Sequence, residues 1–101
     1  MIRASVMYPH QPGVQFNWDY YLGKHIPAVR RLTNVGLVRV EVDKGIGAGQ
    51  QGAQAPFVCM AHMYFNNMED MQKCMAGASE LMGDIPNFTN VQPQVQISEI
   101  V

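Results

Sequence analysis

Ten consecutive residues, Trp18-Asp-Tyr-Tyr-Leu-Gly-Lys-His25-Ile-Pro27, hold an imidazole, two phenols and a carboxylate. Histidine ordinarily titrates near neutrality, so it can take up or release a proton at physiological pH. A tyrosine hydroxyl can orient that ring or stabilise negative charge developing on a substrate oxygen. Wound as a helix at about 100° per residue, the stretch gathers Leu22, His25, Val29 and Leu32 around Trp18, with Tyr21 and Ile26 at the margins. Asp19, Tyr20, Lys24, Arg30 and Arg31 lie around the back. His25 is thus expected in the middle of an apolar stripe. Tyr21, four residues earlier, can reach it, and Tyr20 is expected to point away. Pro27 donates no backbone hydrogen bond, and its ring crowds the carbonyl of Gly23. The helix is therefore expected to kink or restart near His25, which can open a small cleft against the neighbouring layer.

Three roles are open to His25: a hydrogen-bonded core residue, a general acid or base, and a metal ligand. The other two histidines do not extend it to a metal site. His10 falls in a loop. His62 falls in a strand, sharing one face with Met60 and Tyr64; it converges on His25 only if that face meets the helices. No His-x-His or His-x-x-x-His pair and no adjoining carboxylate cluster supports zinc or iron, so no metal is expected. Cys59 and Cys74 match neither a redox pair nor a zinc ribbon and read as two buried thiols. The glycines of GIGAGQQGAQAP, residues 45–56, lack the Lys-Ser/Thr and the following helix of a phosphate loop. No cofactor is implied.

The elements that must position these groups follow from the whole chain. Its 101 residues suit one domain, with room for a modest core. Charged residues make up only 15% against 48% hydrophobic, so part of the surface is expected to lie against a partner. A net charge of −1 gives no reason to expect nucleic acid or an anionic membrane. No basic leader followed by an apolar run and no membrane-length apolar run is visible, so a cytoplasmic protein is expected.

Ile2–Tyr8 alternates as a strand, and Pro9–Gly13 breaks it. Asn17 is placed to cap the first helix, which runs to about Leu32 and ends at Thr33–Gly36. Leu37–Asp43 is the cleanest strand, with Val38, Val40 and Val42 opposite Arg39, Glu41 and Asp43. Phe57–Phe65 is apolar on both faces, the pattern of a central strand covered on both sides. Asn66, with Glu69 three residues on, is expected to cap a second helix that carries Met68, Met71, Cys74, Met75, Ala78, Leu81 and Met82 as far as Gly83. Residues 84–90 turn, and Val91–Val101 holds the last strand. The order βαββαβ is the split, ferredoxin-like α+β arrangement: a four-stranded antiparallel sheet with two helices on one face and strands one and three central. The other face then shows part of Phe57–Phe65, an apolar surface that calls for a partner, with a twofold homodimer through the sheet face as the simplest closed solution.

Phe16-Asn-Trp-Asp-Tyr-Tyr-Leu-Gly-Lys-His-Ile-Pro-Ala-Val29 resembles the signature of the EthD family, aromatic-Asp-x-Tyr-Tyr-x-x-x-His-x-Pro-hydrophobic. Tyr8-Pro9 and Asp84-Ile-Pro-Asn-Phe-Thr89 are similar to that family too. The resemblance implies a dimeric α/β barrel, two ferredoxin-like subunits packed sheet against sheet. Relatives in the superfamily include monooxygenases, polyketide cyclases and dehydratases acting on small aromatic or apolar molecules. It marks Tyr21 and His25 as pocket residues. Trp18 and Phe88 are expected to supply apolar walls to that pocket, and His62 joins it if its face of the strand meets the helices. The resulting expectation is cofactor-free acid–base chemistry on a small apolar or aromatic molecule, with a non-catalytic binding protein as the alternative.

Overall fold

The computed structural model describes residues 1–101. Strand β1 (Ile2–Pro9) leads through a turn to a first helical segment, and β2 (Leu37–Lys44) and β3 (Phe57–Phe65) follow. Helices α3 (Met68–Ala76) and α4 (Ser79–Gly83) and a 3-10 turn (Ile85–Asn87) precede β4 (Gln94–Glu99). The sheet order is β2-β3-β1-β4, antiparallel throughout, with β1 and β3 central as the element order requires.

The first helical segment is not one helix. Asn17 caps α1 (Trp18–Tyr20), its side chain accepting from the Tyr20 amide. A π turn (Tyr21–His25) follows, then α2 (Ile26–Arg30) with Pro27 in its first turn, and a 3-10 turn (Arg31–Val35). Pro27 has no N–H to give to Gly23, and Ile26 donates to the Tyr21 carbonyl, five residues back. The expected kink is thus absorbed as a widened turn that contains His25. Gly36 ends the segment at φ 104°, a left-handed conformation in which a Cβ would also press on Asp70.

The second helix also departs from expectation. Asn67, not Asn66, is its cap, accepting from the Asp70 amide at 2.8 Å. The helix breaks at Gly77 and restarts as α4 from Ala78, whose side chain offers no capping oxygen. Met68 and Met82 stand half out of the core, and Leu22 is 52% exposed instead of filling the first helix's apolar stripe.

The helices cover one face of the sheet. Ala4, Val6 and Tyr8 of β1 and Cys59, Ala61, Met63 and Phe65 of β3 form the core with Tyr21, Ile26, Val29, Met71, Cys74 and Phe88. Both cysteines are free and buried. The other face is not the apolar surface that Phe57–Phe65 suggested. Its cross-strand rows are Arg39, Tyr64, Arg3 and Ser98; Glu41, His62, Ser5 and Gln96; and Asp43, Met60, Met7 and Gln94. Met7 and Met60 sit there among polar and charged neighbours. The Arg39 guanidinium lies 3.9 Å above the Tyr64 ring, which is how that tyrosine is covered.

These assignments give a stability test. Phe65→Ala empties a fully buried site and should cost about 3–5 kcal/mol in urea denaturation. Asn67→Ala should cost about 1 kcal/mol while Asn66→Ala costs almost nothing; equal losses at the two positions would contradict the cap.

Candidate active site

His25 is 6% exposed and lies on the π turn, so the widened backbone carries the titratable ring. Its Nδ1 is 2.9 Å from Oδ2 of Asp84, in the turn after α4. The same carboxylate accepts from the Tyr20 hydroxyl at 2.6 Å and from Asn87 Nδ2 at 2.9 Å. Burial alone pushes the Asp84 carboxyl up. The hydrogen bonds from Tyr20, Asn87 and His25, with the imidazole's charge, outweigh it and hold Asp84 below its ordinary value. An ionised Asp84 can only accept, so Nδ1 of His25 carries a proton, and in the neutral ring Nε2 is a bare acceptor. Nε2 has no protein partner, and it is not among the chain's sealed polar atoms, which are Arg3 Nε and Tyr21 Oη.

Tyr20 does not point away. A ring closed over five residues advances each residue by less than in an α-helix, bringing Tyr20 round toward the side of His25. Its hydroxyl then meets Asp84, and that bond is the first cause of its raised pKa, with burial second.

Tyr21 meets His25 through its ring: the planes are 17° apart with centroids at 5.5 Å. Its hydroxyl is buried beside the Cys59 thiol without hydrogen-bond geometry and has no partner. Burial pushes this phenol far above its ordinary range and holds the Cys59 thiol up at about 11. Tyr21 is therefore a neutral O–H donor, and Cys59 a thiol, not a thiolate.

An apolar cavity of about 40 Å³ lies between the first helical segment and the sheet. Tyr8, Tyr21, His25, Met63, Met75, Leu81 and Met82 are among its lining residues, and the Tyr21 hydroxyl itself is sealed. Phe88 backs the two site rings, with centroids 4.7 Å from His25 and 4.9 Å from Tyr21. Trp18 packs on Phe16 and Tyr21 with Lys44 over its ring, and lines outer clefts instead of this cavity. His62 is on the opposite face of the sheet. It bonds Ser5 Oγ through Nδ1 at 2.8 Å and Asp43 through Nε2 at 3.1 Å, and it cannot converge on His25. No cluster of three metal-ligating side chains is present. No helix is long and apolar enough to cross a membrane.

A four-stranded antiparallel sheet with its helices on one face and a histidine between the layers defines a ferredoxin-like α+β protein. The EthD domain profile matches residues 14–92, and this chain belongs to the EthD family. An EthD-like protein from Ralstonia eutropha is 34% identical and superposes with a TM-score of 0.90 over 99% of this chain and 91% of its own. An EthD-family protein from Bacillus halodurans, 20% identical, gives 0.70 over 100% and 99%. A dimeric ferredoxin-like protein from an uncultured marine organism, 13% identical, gives 0.57 over 100% and 95%, a likeness of fold. No curated protein matches.

Asp84 and Tyr20 were the residues missed as partners of His25. The available signal was a carboxylate opening the Asp84–Thr89 turn, the second segment shared with the family.

The carboxylate has a pH signature. Its folded value lies below its unfolded value, so its stabilisation is present above the unfolded value, about 3.9, and is lost as pH falls through the folded one. Wild type should exceed Asp84→Asn in urea midpoint at pH 6, with the gap closing below about pH 4. A gap independent of pH would remove the charge from the explanation. Nitrogen shifts of His25 should show protonated Nδ1 in neutral wild type and a tautomer mixture in Asp84→Asn.

Proposed function

We propose that the chain binds a small, mostly apolar or aromatic molecule in the cleft between its first helical segment and the sheet. His25 acts on it by cofactor-free acid–base chemistry, and the working unit is a homodimer joined through the sheet face. The carrying observation is the His25 ring. One nitrogen is fixed by Asp84 and the other is free of protein partners, in a ring that borders an otherwise apolar cavity. A base so held has its tautomer and direction set before substrate arrives. Tyr21 stacks on the imidazole and holds its direction; its hydroxyl, sealed beside Cys59 with no acceptor, reaches a carbonyl or phenolate oxygen once a ligand opens the packing around it.

At about 40 Å³ the cavity has room for only a few water molecules. A ligand enters by turning aside Met75 and Met82, whose unbranched side chains repack easily; Met82 is already 47% exposed. The nearly all-apolar lining also suits a carrier that holds its ligand by burial alone, without converting it. The dimer is supported by the dimeric relative of the same fold and by the buried, unpartnered Nε of Arg3 on the open sheet face.

The test is a library of small phenolic and carbonyl compounds screened by methyl NMR. Binders should shift the methyls of Met63, Met75 and Met82; a library that leaves all three unmoved argues against the cleft. For a compound that is converted, His25→Gln should lower turnover at least 100-fold with binding largely kept. A compound bound equally by both proteins and converted by neither makes the chain a carrier.

A further inference from the structure

Edge strand β2 turns Val40, Val42 and Lys44 toward the helices, while Glu41 and Asp43 lie on the open face. A lysine thus ends an otherwise apolar row. Its Nζ stands 5.4 Å from the centroid of the Trp18 ring. Across from it, Trp18, Leu22, Ile26 and Arg30 recur every four residues along the first helical segment. Between the two rows runs a groove of about 390 Å³, lined by Trp18, Leu22, Arg30, Val42 and Lys44. Small-molecule clefts span about 300–1,000 Å³.

The lining is of two kinds. Leu22 is 52% exposed, and Trp18 and Val42 are half-buried, so apolar surface stands open to water. Arg30 and Lys44 add two charges of one sign. Neither has a carboxylate within ion-pair distance. Asp19, the one carboxylate of the segment, does not line the groove. The two cations therefore repel across it and leave their donors to solvent.

We propose that this groove binds a small aromatic monocarboxylate, its ring on Trp18, Leu22 and Val42 and its carboxylate between Arg30 and Lys44. Each half of such a ligand answers one half of the lining. A planar ring covers the aromatic and aliphatic surface that water now touches. A carboxylate accepts paired N–H bonds from a guanidinium fork and another from an ammonium. An uncharged aromatic leaves both cations unpaired, and a small inorganic anion leaves the apolar surface wet. The groove is separate from the His25 cavity. Ile26, between Leu22 and Arg30 in the same row, is 2% exposed and lines the cavity instead. The proposal therefore stands whether or not His25 acts on a ligand.

Trp18 is the chain's one tryptophan, so its fluorescence reads the groove. The probes are hydrocinnamate, its neutral amide and acetate. Hydrocinnamate should change the Trp18 emission along a saturable curve, and the amide and acetate should each bind about tenfold or more weakly. Arg30 and Lys44 are exposed, so Arg30→Gln combined with Lys44→Gln leaves the core alone. That double variant should bind hydrocinnamate about tenfold more weakly and the amide as wild type does. Leu22→Ala should weaken both severalfold, and added salt should weaken the acid alone. In a parallel NMR titration the backbone amides of Leu22 and Lys44 should shift while the methyls of Met63 and Met75 stay still. A response that never saturates overturns the proposal. So does equal binding of acid and amide, of acid and acetate, or of acid by wild type and the double variant. Shifts confined to the Met63 and Met75 methyls put the acid in the His25 cavity, which overturns the groove while the reading of the cleft stands.

Discussion

The site depends on one carboxylate. Asp84 accepts from a ring nitrogen, a phenol and an amide, and the three donors come from the first helical segment and from its own turn. Because the donors outweigh the cost of burial, the group stays ionised, and an ionised acceptor decides where the proton on His25 sits. The bond also ties the chain before β4 to the segment after β1. Asp84 therefore serves as a structural clamp and as the group that aims His25.

That clamp needs the backbone Pro27 imposes. Without an N–H at residue 27, the turn before it closes over five residues, and His25 and Tyr20 come to the same carboxylate. A regular helix would have carried Tyr20 to the solvent side. The π turn is thus the local irregularity that turns a strip of aromatic helix into a site. Around it Tyr8, Phe16, Tyr21 and Phe88 meet mostly edge-on, a packing that fixes ring directions more tightly than aliphatic side chains would.

The two faces of the sheet divide the labour. One carries the core and the cavity. The other carries a charge pattern confined to β2 and one end of β1, with His62 held between Ser5 and Asp43. Reading β3 as apolar on both sides was right about its central place and wrong about the open face. Met60, His62 and Tyr64 look apolar in sequence, but their cross-strand neighbours are Asp43, Glu41 and Arg39.

Periodicity alone determined the element order, the two central strands and the Asn17 cap. Each of those depends on local spacing and on the alternation of one chain segment. It also brought His25 and Tyr21 together, since they are four residues apart. Tertiary structure decided the rest: which side of β1 and β3 faces the core, that Tyr20 belongs to the site, that His62 does not, that Trp18 lies outside the cavity, and that Asp84 links His25 to Tyr20. The physical reason is distance along the chain. Asp84 is 59 residues from His25 and 64 from Tyr20, and no helical or strand period spans that gap. A hydrogen bond between them exists only once the sheet has set where the turn after α4 falls.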